Sequence, residues 1–153
     1  MKIFLIILLF PLLVLAEGNL KIIDGDTIHL DGNKIRFSGI DTPEIQQICK
    51  KDEVEILCGL KAKELLEKKI GDTTPICVIE GKDQYGRLLG ECFVNGESLS
   101  SYLVKKGFAF AYTKYSKKFV GDENFAIKNK LGMWSMDYFL FPWDFRKNNY
   151  RYK

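Results

Sequence analysis

Cys77 and Cys92 stand equidistant from the midpoint of Asp83-Gln84-Tyr85-Gly86. A hairpin centred between Gln84 and Tyr85 puts the two cysteines directly opposite each other. Facing residues of an antiparallel pair approach closely enough for a disulfide. Four cysteines allow three pairings, so taking 77 with 92 leaves Cys49 for Cys58, across a polar loop before a helix. A zinc site is the competing reading. It fits poorly, because neither pair has the two-to-four-residue spacing of a thiolate site.

Disulfides need an oxidising compartment, and the N-terminus points to one. Fourteen of the first sixteen residues are apolar, with only Lys2 and Pro11 excepted. Lys2, the run Ile3 to Leu15 and the Val14-Leu15-Ala16 end resemble a secretory signal, with Glu17 opening the mature chain. The alternative is an uncleaved anchor, for which the run falls short of the ~20 residues a span needs. A secreted or periplasmic protein is expected, with no stable membrane association after cleavage.

Without that leader the apolar fraction drops from 46% to roughly 41%, an ordinary soluble value. The remaining ~137 residues bury about two-thirds of their unfolded surface, enough for one core. No repeat or low-complexity linker divides them. One domain over 17–136 is expected, followed by a tail at 137–153. His29 is the single histidine, which excludes three-histidine zinc sites and histidine acid–base pairs. Net charge is +3, so attraction for nucleic acid must come from local patches.

Apolar alternation places strands over residues 20–40, around Asp31-Gly32-Asn33, and over 75–82 and 87–95. Helical spacing of Leu60, Leu65, Leu66 and Ile70 predicts a helix over 59–70. Shorter helices are expected over 97–106, with Leu99, Tyr102 and Leu103 inward, and over 121–131. Hairpins with interspersed helices argue for an α+β domain on a small barrel. The tail carries Tyr138, Phe139, Phe141, Trp143 and Phe145, then Arg146, Lys147, Arg151 and Lys153. It reads as a packing strap that lays aromatics on the barrel. The sharper alternative is an added nucleic-acid contact.

Three acidic segments carry the chemistry: Asp24-Gly25-Asp26-Thr27, Asp41-Thr42-Pro43-Glu44 and Asp83-Gln84-Tyr85-Gly86-Arg87. Each has a structural explanation. The first is turn chemistry, the second a helix start with Thr42 as N-cap, and the third a hairpin loop. A first hairpin turning at Gly32-Asn33 pairs Leu30 with Ile35, Ile28 with Phe37 and Asp24 with Asp41. Asp26 and Asp41 then share one face at one open end. Two carboxylates there repel unless a cation lies between them, and oxygen donors favour calcium or magnesium. Strict alternation turns Arg36 away from both acids. A bulge near Ser38-Gly39, or another register, is needed to bring it round.

Together these segments, with Arg36 and Leu131-Gly132-Met133-Trp134, resemble the staphylococcal nuclease family in order and spacing, over about residues 20–135. The cysteines and Pro142-Trp143-Asp144-Phe145-Arg146 are similar to its exported, disulfide-bearing members. The resemblance implies a five-stranded OB-type β-barrel with about three helices. It also implies calcium-dependent cleavage of DNA and RNA to 3′-phosphate ends. By resemblance Asp26 and Asp41 supply carboxylates to calcium, and Thr42 its backbone carbonyl. Glu44 orients or deprotonates the attacking water, and Arg36 and Arg87 hold the scissile phosphate. Tyr85 contacts a terminal phosphate or sugar. Tyr112 and Tyr115 resemble nucleotide-stacking tyrosines, with barrel-closing aromatics as the alternative. Gln84 stands where well-known members carry a lysine. Lys105, Lys106, Lys114, Lys117 and Lys118 form a basic run able to track phosphates. A monomer acting on DNA and RNA, single strands preferred, is expected. The alternative is a catalytically silent OB-fold nucleic-acid-binding module, and a third reading is a structural calcium-binding domain.

Overall fold

The computed structural model describes residues 19–150, with side chains to residue 148. The expected signal segment lies outside the described residues, as do Arg151 and Lys153. The alternating segments build strands β1 (Leu20–Ile22), β2 (Thr27–Leu30) and β3 (Asn33–Phe37), an antiparallel meander. A short β4 (Ile40–Asp41) follows, then a hairpin of β5 (Ile48–Lys51) and β6 (Val54–Leu57), and helix α1 (Cys58–Ile70). The second long hairpin is β7 (Ile76–Lys82) and β8 (Leu88–Val94). Next come β9 (Glu97–Ser98), α2 (Leu99–Lys105), β10 (Phe110–Ala111) and α3 (Val120–Lys128). A 3-10 turn at Gly132–Ser135 leads to α4 (Pro142–Tyr150).

The main sheet runs β1-β2-β3-β8-β7, with β9 also on β8, and curls into a half-barrel. Strands β3 and β8 are parallel, while β4 pairs with β10. Inside the curl, Ile28, Ile35, Phe37 and Ile40 pack against Leu66 and Ile70 of α1 and Leu99, Leu103 and Val104 of α2. The α+β class and OB-like barrel agree with the sequence reading. Among the described residues there are four α-helices rather than about three, because the tail folds into one.

The second hairpin has the expected register: Cys77 faces Cys92 and the two are bonded, as are Cys49 and Cys58. The Cys49–Cys58 segment is a hairpin rather than a polar loop. The first hairpin differs. Asp31 and Gly32 form its two-residue turn, with positive φ of 49° and 80°, and Ile28 pairs with Ile35. The pairing is two residues away from the expected one, so the faces are unchanged. Of the residues whose spacing predicted α1, Leu66 and Ile70 are buried while Leu60 is exposed, and small Cys58, Gly59 and Ala62 complete the buried face.

The tail lies as an aromatic strap. Phe110 is fully buried and meets the rings of Trp134, Phe139, Phe141 and Trp143 at 5.4, 5.7, 5.0 and 6.1 Å. Backbone bonds tie the strap to β5, the Lys50 N–H donating to the Tyr138 carbonyl at 2.8 Å.

Candidate active site

Asp26 closes the turn that enters β2, and its carboxylate is buried. The Thr42 N–H and hydroxyl both donate to Oδ2 at 3.0 Å. Oδ1 accepts from the Thr27 hydroxyl at 3.1 Å and from Arg36 Nη1. Burial raises the Asp26 pKa and Asp24 adds to the rise, while Arg36 and the Thr42 bonds oppose it. Asp41 ends β4, fully buried, and its Oδ1 accepts from Arg36 Nη2 at 2.8 Å. One guanidinium therefore spans both acids.

The Ser38-Gly39 turn makes this possible. It separates β3 from β4, with Gly39 at φ 73°, so alternation does not run through and Arg36 comes round to the acids. Burial works against the Arg36 charge, but Asp26 and Asp41 more than offset it and raise its pKa.

The Asp41-Thr42-Pro43-Glu44 segment is not a helix start. It forms a turn in which the Gln47 N–H donates to the Glu44 carbonyl at 2.7 Å, and α1 begins only at Cys58. Fully buried Gln47 replaces the expected cap. Its Oε1 accepts the Glu44 N–H at 3.2 Å, and its Nε2 donates to the Leu140 carbonyl at 2.6 Å. Helix α1 nonetheless presses on Glu44. A Cβ at Gly59 would lie 1.8 Å from the Glu44 carbonyl oxygen. Gly59→Ala is expected to push the Glu44 backbone away and to cost about 1–3 kcal/mol, read as a lower Tm.

Arg87 sits elsewhere. Its Nε donates to Asp83 Oδ2 at 2.7 Å, while Asp83 Oδ1 accepts the N–H groups of Tyr85 and Arg87 at 2.9 Å. Burial alone would raise the Asp83 pKa, but these bonds hold it below its usual value. No ion pair links Arg87 to Asp26 or Asp41 among the described residues. The parallel ladder does bring it near. Leu88 and Leu89 face Ile35 and Arg36, so Arg87, just before β8, lies two residues ahead of the partner of Arg36. Tyr85 is exposed, its ring 5.6 Å from the Arg87 guanidinium.

Tyr112 stacks on Trp143 at 5.6 Å and meets Tyr115 edge-on at 5.0 Å, so Tyr115, 71% exposed, is the freer platform for a base. Both lie by an open cleft of about 360 Å³ lined by Ala111, Tyr112, Thr113, Lys114, Trp143 and Lys147. The basic run is partly committed internally: Lys118 pairs with Glu91, and Lys105 with Asp122 at 3.5 Å.

Sequence reasoning missed one group at the centre. Arg146 of α4 donates from Nη2 to Asp41 Oδ2 at 2.7 Å, and from Nη1 to Asp41 Oδ1 at 3.2 Å and Glu44 Oε1 at 2.8 Å. Burial opposes its charge, but these bonds raise its pKa well above the ordinary value. Its tail position masked it. The available signal was the imbalance of three acids against Arg36 alone.

Asp26 and Asp41 fit a hard cation. They are buried oxygens that already draw positive charge, and neither thiolate nor imidazole is at hand. Among the described residues no three acidic, histidine or cysteine side chains converge into a metal cage, so backbone oxygen and water would complete the set.

A family model described as staphylococcal nuclease homologue matches residues 34–136. A staphylococcal-like nuclease of Arabidopsis thaliana is 32% identical over 117 residues, 75% of this chain and 33% of its own. An endonuclease of Bacillus subtilis is 39% identical over 103 residues, 60% of this chain and 8% of its own. A succinoglycan biosynthesis protein of Rhizobium meliloti is 29% identical over 121 residues, 76% of this chain and 63% of its own. The chain thus spans less than two-thirds of the length of each of these relatives.

Proposed function

The chain belongs to the staphylococcal nuclease family, and from that premise we propose that it is an exported, calcium-dependent nuclease. It hydrolyses DNA and RNA without strong sequence specificity, prefers single strands, leaves 3′-phosphate ends and acts as a monomer in the periplasm or outside the cell. A domain over 17–136 performs the reaction, once the signal at 1–16 is removed. The observation that carries this reading is the single Arg36 fork shared by Asp26 and Asp41, with Glu44 bonded to the same cluster through Arg146.

Asp26, Asp41 and the Thr42 carbonyl, with water, would hold calcium, which would supply positive charge beside the phosphate and orient or acidify water. The chain's own groups do the rest. Arg36 spends two of its five N–H donors on the acids and presents others to a phosphate oxygen. Arg87, at the entry to the neighbouring strand β8, adds a second fork. Both stabilise charge that grows as the phosphorus becomes five-coordinate. Glu44 accepts the proton of the attacking water. The water oxygen bonds to phosphorus, the P–O5′ bond breaks, the 5′-oxygen takes a proton from solvent water as it leaves, and the phosphate stays on the 3′ side. Tyr85 and Tyr115 receive the flanking sugar and base.

The test is direct. The oxidised chain, incubated with single-stranded DNA or RNA, is expected to cleave both in calcium and to stop in chelator, with 3′-phosphate ends by mass spectrometry. Tight binding in calcium without cleavage would replace the enzyme with a silent nucleic-acid-binding module.

A further inference from the structure

Arg146 is the one charged group of the cluster to which the nuclease reading gives no part. It holds both oxygens of fully buried Asp41 and one of Glu44. Asp41 also accepts from Arg36, so three N–H bonds occupy a carboxylate with about four acceptor positions. A cation reaching Asp41 finds one acceptor position open and must compete with two guanidiniums for the rest. Arg36 is the harder to move, because Asp26 grips its other nitrogen and only 19% of its side chain is exposed. Arg146 is 33% exposed and, among the described residues, bonds to these two acids alone.

Charge points the same way. With Asp24, which acts on both Asp26 and Arg36, the acids exceed Arg36 and Arg146 by two negative charges. A divalent cation cancels that excess, so the guanidinium it frees from Asp41 carries its charge to a phosphate. Geometry supplies a destination. The rings of Phe141 and Tyr112 sandwich Trp143 at 4.8 and 5.6 Å, which fixes α4 three residues before Arg146. Only the side chain needs to swing. The next residue, Lys147, lines the open cleft with Lys114, so an anionic strand passing there meets α4 directly.

We propose that Arg146 is a third active-site guanidinium that works by exchange. It neutralises Asp41 and Glu44 before the divalent cation binds, and moves to a phosphate of the bound strand once the cation takes Asp41, which leaves Glu44 free for the water. The inference rests on the nuclease reading for its second half alone.

Calcium affinity, measured by calorimetry without nucleic acid, separates the halves. Arg146→Gln is expected to bind calcium about tenfold more tightly than the native chain, because a charge-assisted competitor is gone. Arg146→Lys, which keeps the charge, is expected to stay near the native value. Circular dichroism checks that both fold. At saturating calcium, Arg146→Gln is expected to lose on the order of 10²-fold in kcat on single-stranded DNA, as when one transition-state donor is removed. Unchanged or weaker calcium binding in Arg146→Gln overturns the exchange. Full kcat at saturating calcium overturns the phosphate role. If the native chain cleaves nothing, the nuclease reading fails, while the isotherms still judge the exchange.

Discussion

Arg36→Lys is expected to lower kcat on single-stranded DNA by at least ~10²-fold at saturating calcium, with the chain still folded. Lysine keeps the charge but not the fork. Arg36 Nη1 and Nη2 reach Asp26 and Asp41 from one rigid plane, and three of its five N–H donors are left over from those bonds. An ammonium can sit between the two acids or face the phosphate, and it lacks the planar geometry that does both at once. Arg36→Ala is expected to be worse, since it also leaves buried Asp26 with its hydroxyl and backbone donors as its only partners. Removing one partner of a buried pair costs about 3–5 kcal/mol, so that variant loses stability as well as rate. Steady-state kinetics with a circular dichroism control decide the matter. A lysine variant at native rate would mean that charge alone suffices and that the fork has no catalytic part.

The half of the site carried by local motifs was legible in the sequence. Asp26, Asp41 and Arg36 lie within sixteen residues, and alternation about a hairpin predicts the two acids together, although the expected Asp24–Asp41 pairing gives way to Asp41 against Phe110. The register was two residues out because Asp31, unlike most residues, accepts a positive φ and joins Gly32 as the turn. An even shift keeps the faces of β2 and β3, but Asp41 lies beyond the Ser38-Gly39 turn in β4 against β10, so the acids meet across Arg36 and not by alternation. The Cys77–Cys92 bond was legible for a similar reason, since symmetry about a turn is a local property. Glu44 was placed beside Asp41 by a wrong route. A Thr-Pro-Glu sequence suits a helix start, but buried Gln47 offers the Glu44 N–H a partner and is itself held by Leu140 of the tail. That contact spans 93 residues, and no periodicity encodes it. Arg146, 102 residues from Glu44, was invisible for the same reason. Its position follows from where the aromatic strap docks, which is a matter of packing and not of pattern.

Phe110→Ala is therefore expected to damage stability and site together. Phe110 is fully buried in β10, whose other face of pairing is β4, and it pairs directly with Asp41 in the ladder. Its ring is the common neighbour of Trp134, Phe139, Phe141 and Trp143, the residues that fasten the strap. Deleting a buried phenyl ring costs about 3–5 kcal/mol, a large share of a domain's total stability. For a domain of this size Tm should fall by on the order of 10–20 °C. The cavity opens beneath Trp143, so α4 loses its seat and Arg146 its fixed approach to Asp41. Below its own Tm the variant should then bind calcium more tightly than the native chain, as Arg146→Gln does, although Arg146 itself is untouched. Phe110→Leu, which fills most of the space, should recover most of the Tm and return calcium affinity toward the native value. Thermal melts paired with calcium isotherms on the two variants test the link. A Phe110→Ala chain that melts early but binds calcium with native affinity would show that the strap holds the fold and has no hold on the site.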